Sequence, residues 1–430
     1  ALPIFMAANA HNVNGTATVT INTHATITFT NATDKVWLLG VSSVSGNNST
    51  TKLNLNIGGN LTVGGLASCE FKTSESFGEE NISIGGTYTS TAAKSVFNGS
   101  VNESAGHKVK ATMGGFVVSG GNVWFSENAS DSTIITVNGS AQLSGGTFVL
   151  KASTGYAIMT VNGNYAQNLV GSVMYMHGPD RLGAATAGNN FTDLRVNGTF
   201  THSGGIMHFD VADSPAEQRV YINGNAYTIN NVAQMLRAGA GTSTYFARIY
   251  FEYPGTITYF RGGSHNIRQC KQYIRNGCTV NVTAGPLQIS SHNTPALDFL
   301  TIESGGKLDI GSSQISTDSA FSYTGVTVAD GGKLALSNTS GLYDNTVNAV
   351  LRSTGNMNYF LGALSTIEYN NNNFGRVSGI NVGIATLPQH KYGILEINHT
   401  GPPGTWVSPT YMPSFTNALY IRTQLKITNG

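Results

Sequence analysis

Residues 137–161 read VNGSAQLSGGTFVLKASTGYAIMTV, and residues 196–222 read VNGTFTHSGGIMHFDVADSPAEQRVYI. Both open on Val-Asn-Gly and place Ser-Gly-Gly a few residues later. Both then give a short alternating apolar run, a polar stretch and a return to an apolar strand-like phrase. Recurrence of one phrase at this distance is the signature of a repeat architecture, in which each unit buries its apolar face only by stacking on its neighbours.

The spacing of the punctuation identifies the repeat. The second residues of the turn pairs fall at Gly59, Gly86, Gly115, Gly139, Gly163, Gly198 and Gly224, with gaps of 27, 29, 24, 24, 35 and 26. Gly306 and Gly332 are again 26 apart. Between the turns the apolar residues alternate, as in Leu53-Asn-Leu-Asn-Ile and Lys333-Leu-Ala-Leu, which reads as short strands with one buried face. Helical periodicity is almost absent; 232–237 is the one stretch with a trace of it. Coils of about 24–29 residues holding three short strands predict an all-β fold, a right-handed parallel β-helix (β-solenoid). A sandwich or an up-and-down barrel would show hairpin turns at closer spacing and no long-range echo.

Composition agrees. Charged residues are 10% of the 430, Gly numbers 52, and Asn, Ser and Thr dominate the polar positions. Glycine in the turns supplies positive φ at low cost, and stacked asparagines can hydrogen-bond in ladders. The net charge of +1 excludes the basic footprint that nucleic-acid binding needs. No stretch approaches the ~20 apolar residues of a membrane span, so no membrane insertion is expected. The opening ALPIFMAANAHNVNG carries no visible signal peptide. The chain reads as a piece of something longer or as a processed product.

Three textures follow one another. Residues 1–235 are Asn-Gly/Ser-Gly-Gly coils. Residues 236–285 are aromatic and basic, without Ser-Gly-Gly, and read as irregular coils. Residues 286–430 resume with a second motif, at Ile302-Glu-Ser-Gly-Gly-Lys-Leu-Asp-Ile and Val328-Ala-Asp-Gly-Gly-Lys-Leu-Ala-Leu. No Pro/Ser linker separates them, which favours one continuous solenoid.

The succession of phrases resembles the repeat regions of large secreted surface proteins of Bacteroidota exported by the type IX secretion system, gliding-motility adhesins among them. The resemblance is carried by 196–205 (VNGTFTHSGG), 301–310 (TIESGGKLDI), 355–370 (GNMNYFLGALSTIEYN), 391–398 (KYGILEIN) and 419–430 (LYIRTQLKITNG). It covers 137 to the end, and the first third more weakly. It implies a structural or adhesive segment displayed at the cell surface, for attachment or gliding. Its partners would be external surfaces or glycans, with anchoring by secretion machinery through regions outside this chain. The cysteine pair and the aromatic-basic stretch depart from that pattern.

Candidate chemistry is sparse. β-Helices also host polysaccharide lyases and hydrolases, whose sites need clustered carboxylates. The best local cluster is His208, Asp210 and Asp213 with His202 one strand earlier, and solvated outward positions are the preferred reading of it. Glu79-Glu80 reads as a charged turn, and His177 and His265 as surface residues. No Gly-x-Ser-x-Gly, EF-hand or zinc spacing occurs, so no catalytic residue, metal or cofactor is predicted. The glycan-binding candidates are Tyr245, Arg248, Tyr250, Tyr253, Tyr259 and Arg261, with Arg268 nearby; a wider coil that takes half of these aromatics into its core is the competing reading. Cys270 and Cys278 form a disulfide or remain two free thiols. Sequons at Asn60, Asn98, Asn138, Asn197 and Asn281 fall inside repeat strands and turns. The resembled bacteria O-glycosylate at Asp-Ser/Thr followed by a small or apolar residue, which makes Ser132 and Ser319 candidates. The rival functions are a glycan-active enzyme on the same fold and a trimeric phage tailspike shaft.

Overall fold

A computed structural model describes residues 16–29, 35–39, 48–65, 68–72, 77–91, 94–97, 108–125, 131–151, 155–177, 191–210, 217–230, 233–237, 247–263, 266–290, 299–317, 323–338, 341–342, 350, 356–370, 391–398 and 421–428. Among them there is no helix, and the strands pair in parallel, each with its counterpart one coil away. This is a parallel β-solenoid. The stretch 232–237 gives the strand Gln234–Arg237 and not a helical turn. The chain divides into two compact units, Ala1–Val220 with Val232–Gly239, and Tyr221–Asn231 with Ala240–Gly430.

In the first unit the phrase that opened the sequence is one coil. Asp131–Val137, Ala141–Leu143 and Thr147–Val149 are its three strands, followed by Gly155–Val161, Tyr165–Gln167 and Val173–Tyr175, then Phe191–Val196, Phe200–His202 and Ile206–Asp210. Register is kept from coil to coil: Ile135 faces Met159 and then Leu194, Ala141 faces Tyr165 and then Phe200, and Phe148 faces Met174 and then Met207. All nine are buried. Alternation with period two sends these residues inward and their neighbours outward, and one slip in register would exchange the two sets. Aromatic pairs fill the wider part of this core, with Phe125 4.8 Å from Phe97 and 4.9 Å from Phe148.

The corners explain the glycines. Gly146 and Gly205, in the Ser-Gly-Gly phrases, take φ of 68° and 77°. The Asn-Gly glycines do something else. The N–H of Gly163 donates to the carbonyl of Gly139, and that of Gly198 to Gly163. A Cβ on Gly163 would lie 2.7 Å from the carbonyl carbon and oxygen of Gly139. Beside them Asn197 Nδ2 donates to Asn162 Oδ1 (2.9 Å) and Asn162 to Asn138 (3.4 Å), the expected ladder.

The second unit repeats the arrangement. Ala247–Phe251, Cys270–Ile274, Leu300–Ile302, Tyr323–Val328 and Asn356–Leu361 stack in order. Their inward column runs Phe251, Ile274, Ile302, Val328, Leu361, all buried. Thr256–Arg261, Thr279–Ala284, Lys307–Asp309, Lys333–Leu336 and Thr366–Tyr369 form the adjoining side. Over its described strands the aromatic-basic stretch is stacked in register, with one shift between Tyr259 and Phe260.

Candidate binding face

The glycan candidates separate by the side of the strand they occupy. On Ala247–Phe251, Ile249 and Phe251 point inward, and Arg248 and Tyr250 alternate to the other side, where Tyr250 is nevertheless buried between its neighbours. Tyr259 points the other way. It is fully buried, 5.6 Å from the ring of Tyr227, and burial pushes its hydroxyl up to about 12. It belongs to the core and cannot meet a glycan. Arg261 is half-buried at the end of its strand, its Nη1 donating to the Pro286 carbonyl at 3.4 Å, and burial lowers its affinity for its proton. Tyr253 sits half-buried in the turn after Phe251, under Gly255. Arg268 is exposed. Tyr245 lies outside the described residues.

The outer face holds a feature that the candidates only touched. Tyr250 is stacked between Tyr221 (5.0 Å, 18°) and Tyr273 (5.1 Å, 24°), one ring per coil. The guanidinium of Arg275 lies 4.7 Å from the Tyr250 ring centre. Arg275 is itself held by Glu252 (3.2 Å) and Glu303 (2.9 Å). In the next column Arg248 is the register partner of Lys271. Burial raises the Tyr273 hydroxyl, and the positive charge of Arg248 acts against it. The sequence did carry a signal for this row: Val220-Tyr221-Ile222, Ile249-Tyr250-Phe251 and Gln272-Tyr273-Ile274 place tyrosine at the same outward step of three successive strands.

A related device occurs in the first unit. Tyr156 stacks on Phe191 at 5.2 Å, and the Arg219 guanidinium lies 4.4 Å from the Phe191 ring. Arg195 (2.8 Å) and Arg219 (2.6 Å) close on the buried carboxylate of Asp193.

The histidine–aspartate cluster does not converge. His202 points into the core, where burial holds it down at about 4 and neutral. His208 is outward and stacks on Tyr175 at 4.8 Å. Asp210 is buried against His177 (3.2 Å), so His177 is an interior partner of a carboxylate and not a surface residue. Asp213 and His265 lie outside the described residues. Glu79 and Glu80 are in a strand, not a turn: Glu79 meets Lys110 at 3.1 Å and Glu80 is buried.

Among the described residues another set of carboxylates lies close together. Glu368 and Glu396 are register partners, and Lys333 bridges them at 2.8 and 2.9 Å. Lys426 adds a contact to Glu396 at 2.8 Å, and Lys307 lies 3.3 Å from Asp309 and 3.8 Å from Glu368. Burial pushes the Glu396 carboxyl up, but hydrogen bonds from Lys426 and Lys333 outweigh it and hold it at about 2. Glu368 is lowered in the same way by Lys333 and Asn398. Carboxylates held ionised like this are poor proton donors. Among the described residues no group of three His, Cys, Asp or Glu is placed to hold a metal ion.

Cys270 and Cys278 are both buried, and each keeps its thiol with no disulfide between them. Cys270 opens its strand and Cys278 follows the turn beyond Ile274. Burial pushes the Cys278 thiol up to about 12. Ser132 is buried, so a glycan there would have to be attached before the coil closes. Ser319 lies outside the described residues. Comparison of the chain with protein-family models, curated proteins and solved structures finds no match.

Proposed function

We propose that this chain is a structural and adhesive segment of a secreted, surface-displayed repeat protein, a stiff β-helical shaft used for attachment or gliding. The observation that carries the reading is the regularity of its outer face. In the first unit one outward column runs Thr20, Asn56, Ser83, Thr112, Thr136, Thr160, uncharged and with a hydroxyl or amide at every step. Such a surface offers the same weak polar contact once per coil, and many weak contacts presented together multiply in avidity. The resemblance of the sequence phrases to type IX-exported surface proteins of Bacteroidota supports the bacterial setting. The rival reading of a glycan-active enzyme has less behind it. The register partners Glu368 and Glu396 are locked in a lysine ladder, and the described members of the histidine–aspartate cluster face several directions.

Antibodies raised against the purified chain should label intact cells of the source organism, and beads coated with it should be retained on polysaccharide-coated glass under flow. Antigen confined to the soluble fraction of lysed cells, together with retention no better than that of albumin-coated beads, overturns the proposal.

A further inference from the structure

Between Ser132 and Pro179 the sequence carries one charged residue, Lys151, and that side chain is buried. Lys, Arg, Asp and Glu make up 10% of the whole chain, so the stretch is depleted even by its standard. Over their described residues, two consecutive coils of the first unit therefore turn an uncharged surface to solvent.

Three rows of polar side chains cross these coils. Thr112, Thr136 and Thr160 are register partners on the outer side of their strands, and their hydroxyls are left to solvent. In the turn that follows, Asn162 donates from Nδ2 to Asn138 Oδ1 (3.4 Å) and accepts at Oδ1 from Asn197 Nδ2 (2.9 Å). A side-chain amide has two N–H groups and two lone pairs, so Asn162 keeps one of each. Beside it, Ser140 Oγ accepts the N–H of Asn164 (3.2 Å), and Asn164 Oδ1 accepts the N–H of Thr199 (2.9 Å). Asn138, Ser140, Asn162 and Asn164 are all exposed. These bonds run from coil to coil and hold the side chains in place, so little freedom remains to be lost on binding.

A hydroxyl row and an amide row thus repeat together once per coil, every 4.8 Å or about that, a step close to the length of one sugar in an extended chain. A single hydrogen bond exchanged with water gains little. A rigid row gains most from a partner whose groups are themselves fixed on the same step, because a flexible chain would lose conformational entropy at each contact.

We propose that this face binds an ordered, uncharged polysaccharide lying across the coils, its hydroxyls on the Thr112, Thr136, Thr160 row and on the amides of Asn138 and Asn162. The proposal rests on the adhesive reading above and narrows its ligand to insoluble neutral glycans.

The test mixes the whole chain with microcrystalline cellulose and with chitin, at low and at high salt, with soluble dextran as competitor. Retention on at least one of the two solids is expected, equal at both salt concentrations because no charge takes part, and dextran should not displace it. The variant Thr112→Val/Thr136→Val/Thr160→Val keeps a branched shape that strands favour and removes three hydroxyls. It should weaken retention about tenfold. Thr136→Lys, a single change at a half-exposed position, should weaken it as well, and it decides the matter if the triple variant unfolds. Thr258→Val, exposed on the second unit, should leave retention unchanged. Thermal unfolding of each variant separates lost contacts from lost folding. Loss of retention at high salt, displacement by dextran, or indifference to the threonine variants overturns the proposal. No retention on either solid also overturns it: adhesion still stands if coated beads hold to polysaccharide-coated glass under flow, and both readings fall if they do not.

Discussion

Gly163 shows how stacking, more than backbone dihedrals, selects a residue. Its φ is not positive, yet a Cβ would sit 2.7 Å from the Gly139 carbonyl of the coil beneath. Gly163→Ala should therefore cost about 2 kcal/mol, read as a lower melting temperature. Gly120 has nothing within 4 Å of its would-be Cβ and no positive φ, so Gly120→Ala should be neutral or stabilising by about 0.5 kcal/mol. Equal losses at both positions would refute the close-approach argument. His202 gives a second residue-scale expectation. Its folded-state pKa of about 4 lies below the ordinary value of 6.5, so the unfolded chain binds the extra proton between those values. The contribution is complete above pH 6.5 and is lost as pH falls toward 4, on the order of 3 kcal/mol in all. Melting temperatures taken from pH 7.5 to 4.5 should fall less steeply for His202→Gln than for the parent chain. The direction of each of these side chains was the part the sequence concealed. Tyr259, Glu80 and His177 are polar or amphipathic residues that a strand can send either way, and only the stacking register decides.

At the scale of the element, period-two alternation and the turn glycines were enough to find the strands, because each coil repeats the same two signals. They reveal how outward columns line up only where a flanking phrase repeats, as around Tyr221, Tyr250 and Tyr273, since coil lengths vary from 24 to 35 residues. The Tyr221, Tyr250, Tyr273 row and the lysine–glutamate ladder both arise from that alignment. Lys333 sits between the buried Glu368 and Glu396. Lys333→Met leaves two adjacent carboxylates short of their shared cation and should cost roughly 3 kcal/mol. Lys110→Met breaks an exposed pair with Glu79 and should cost under about 1 kcal/mol. Chemical denaturation of the two variants in parallel checks the difference, and similar losses would mean that the ladder is no more than a surface ornament. The glycan candidates divide by the same logic. Arg248 and Tyr250 alternate to the outer side, Tyr259 to the inner, and residue type alone gave no means of telling them apart.

At the scale of the molecule, low charge has a consequence for association. A net charge of +1 and an isoelectric point near 7.9 leave little mutual repulsion at neutral pH. The strand Ile421–Thr428 adds an adhesive surface: it pairs with Tyr392–Asn398, yet Leu425 and Ile427 remain 52% and 60% exposed. Exposed apolar residues on a strand are a template for pairing with another chain, and Lys426 between these two is drawn toward Glu396. Self-association of the purified chain should therefore peak near pH 8 and fall on either side, as light scattering will report. Ile427→Lys should lower it at every pH without changing the melting temperature, because that side chain contributes little buried area. Were self-association to follow pH but ignore the substitution, net charge alone would be its cause and the strand would play no part.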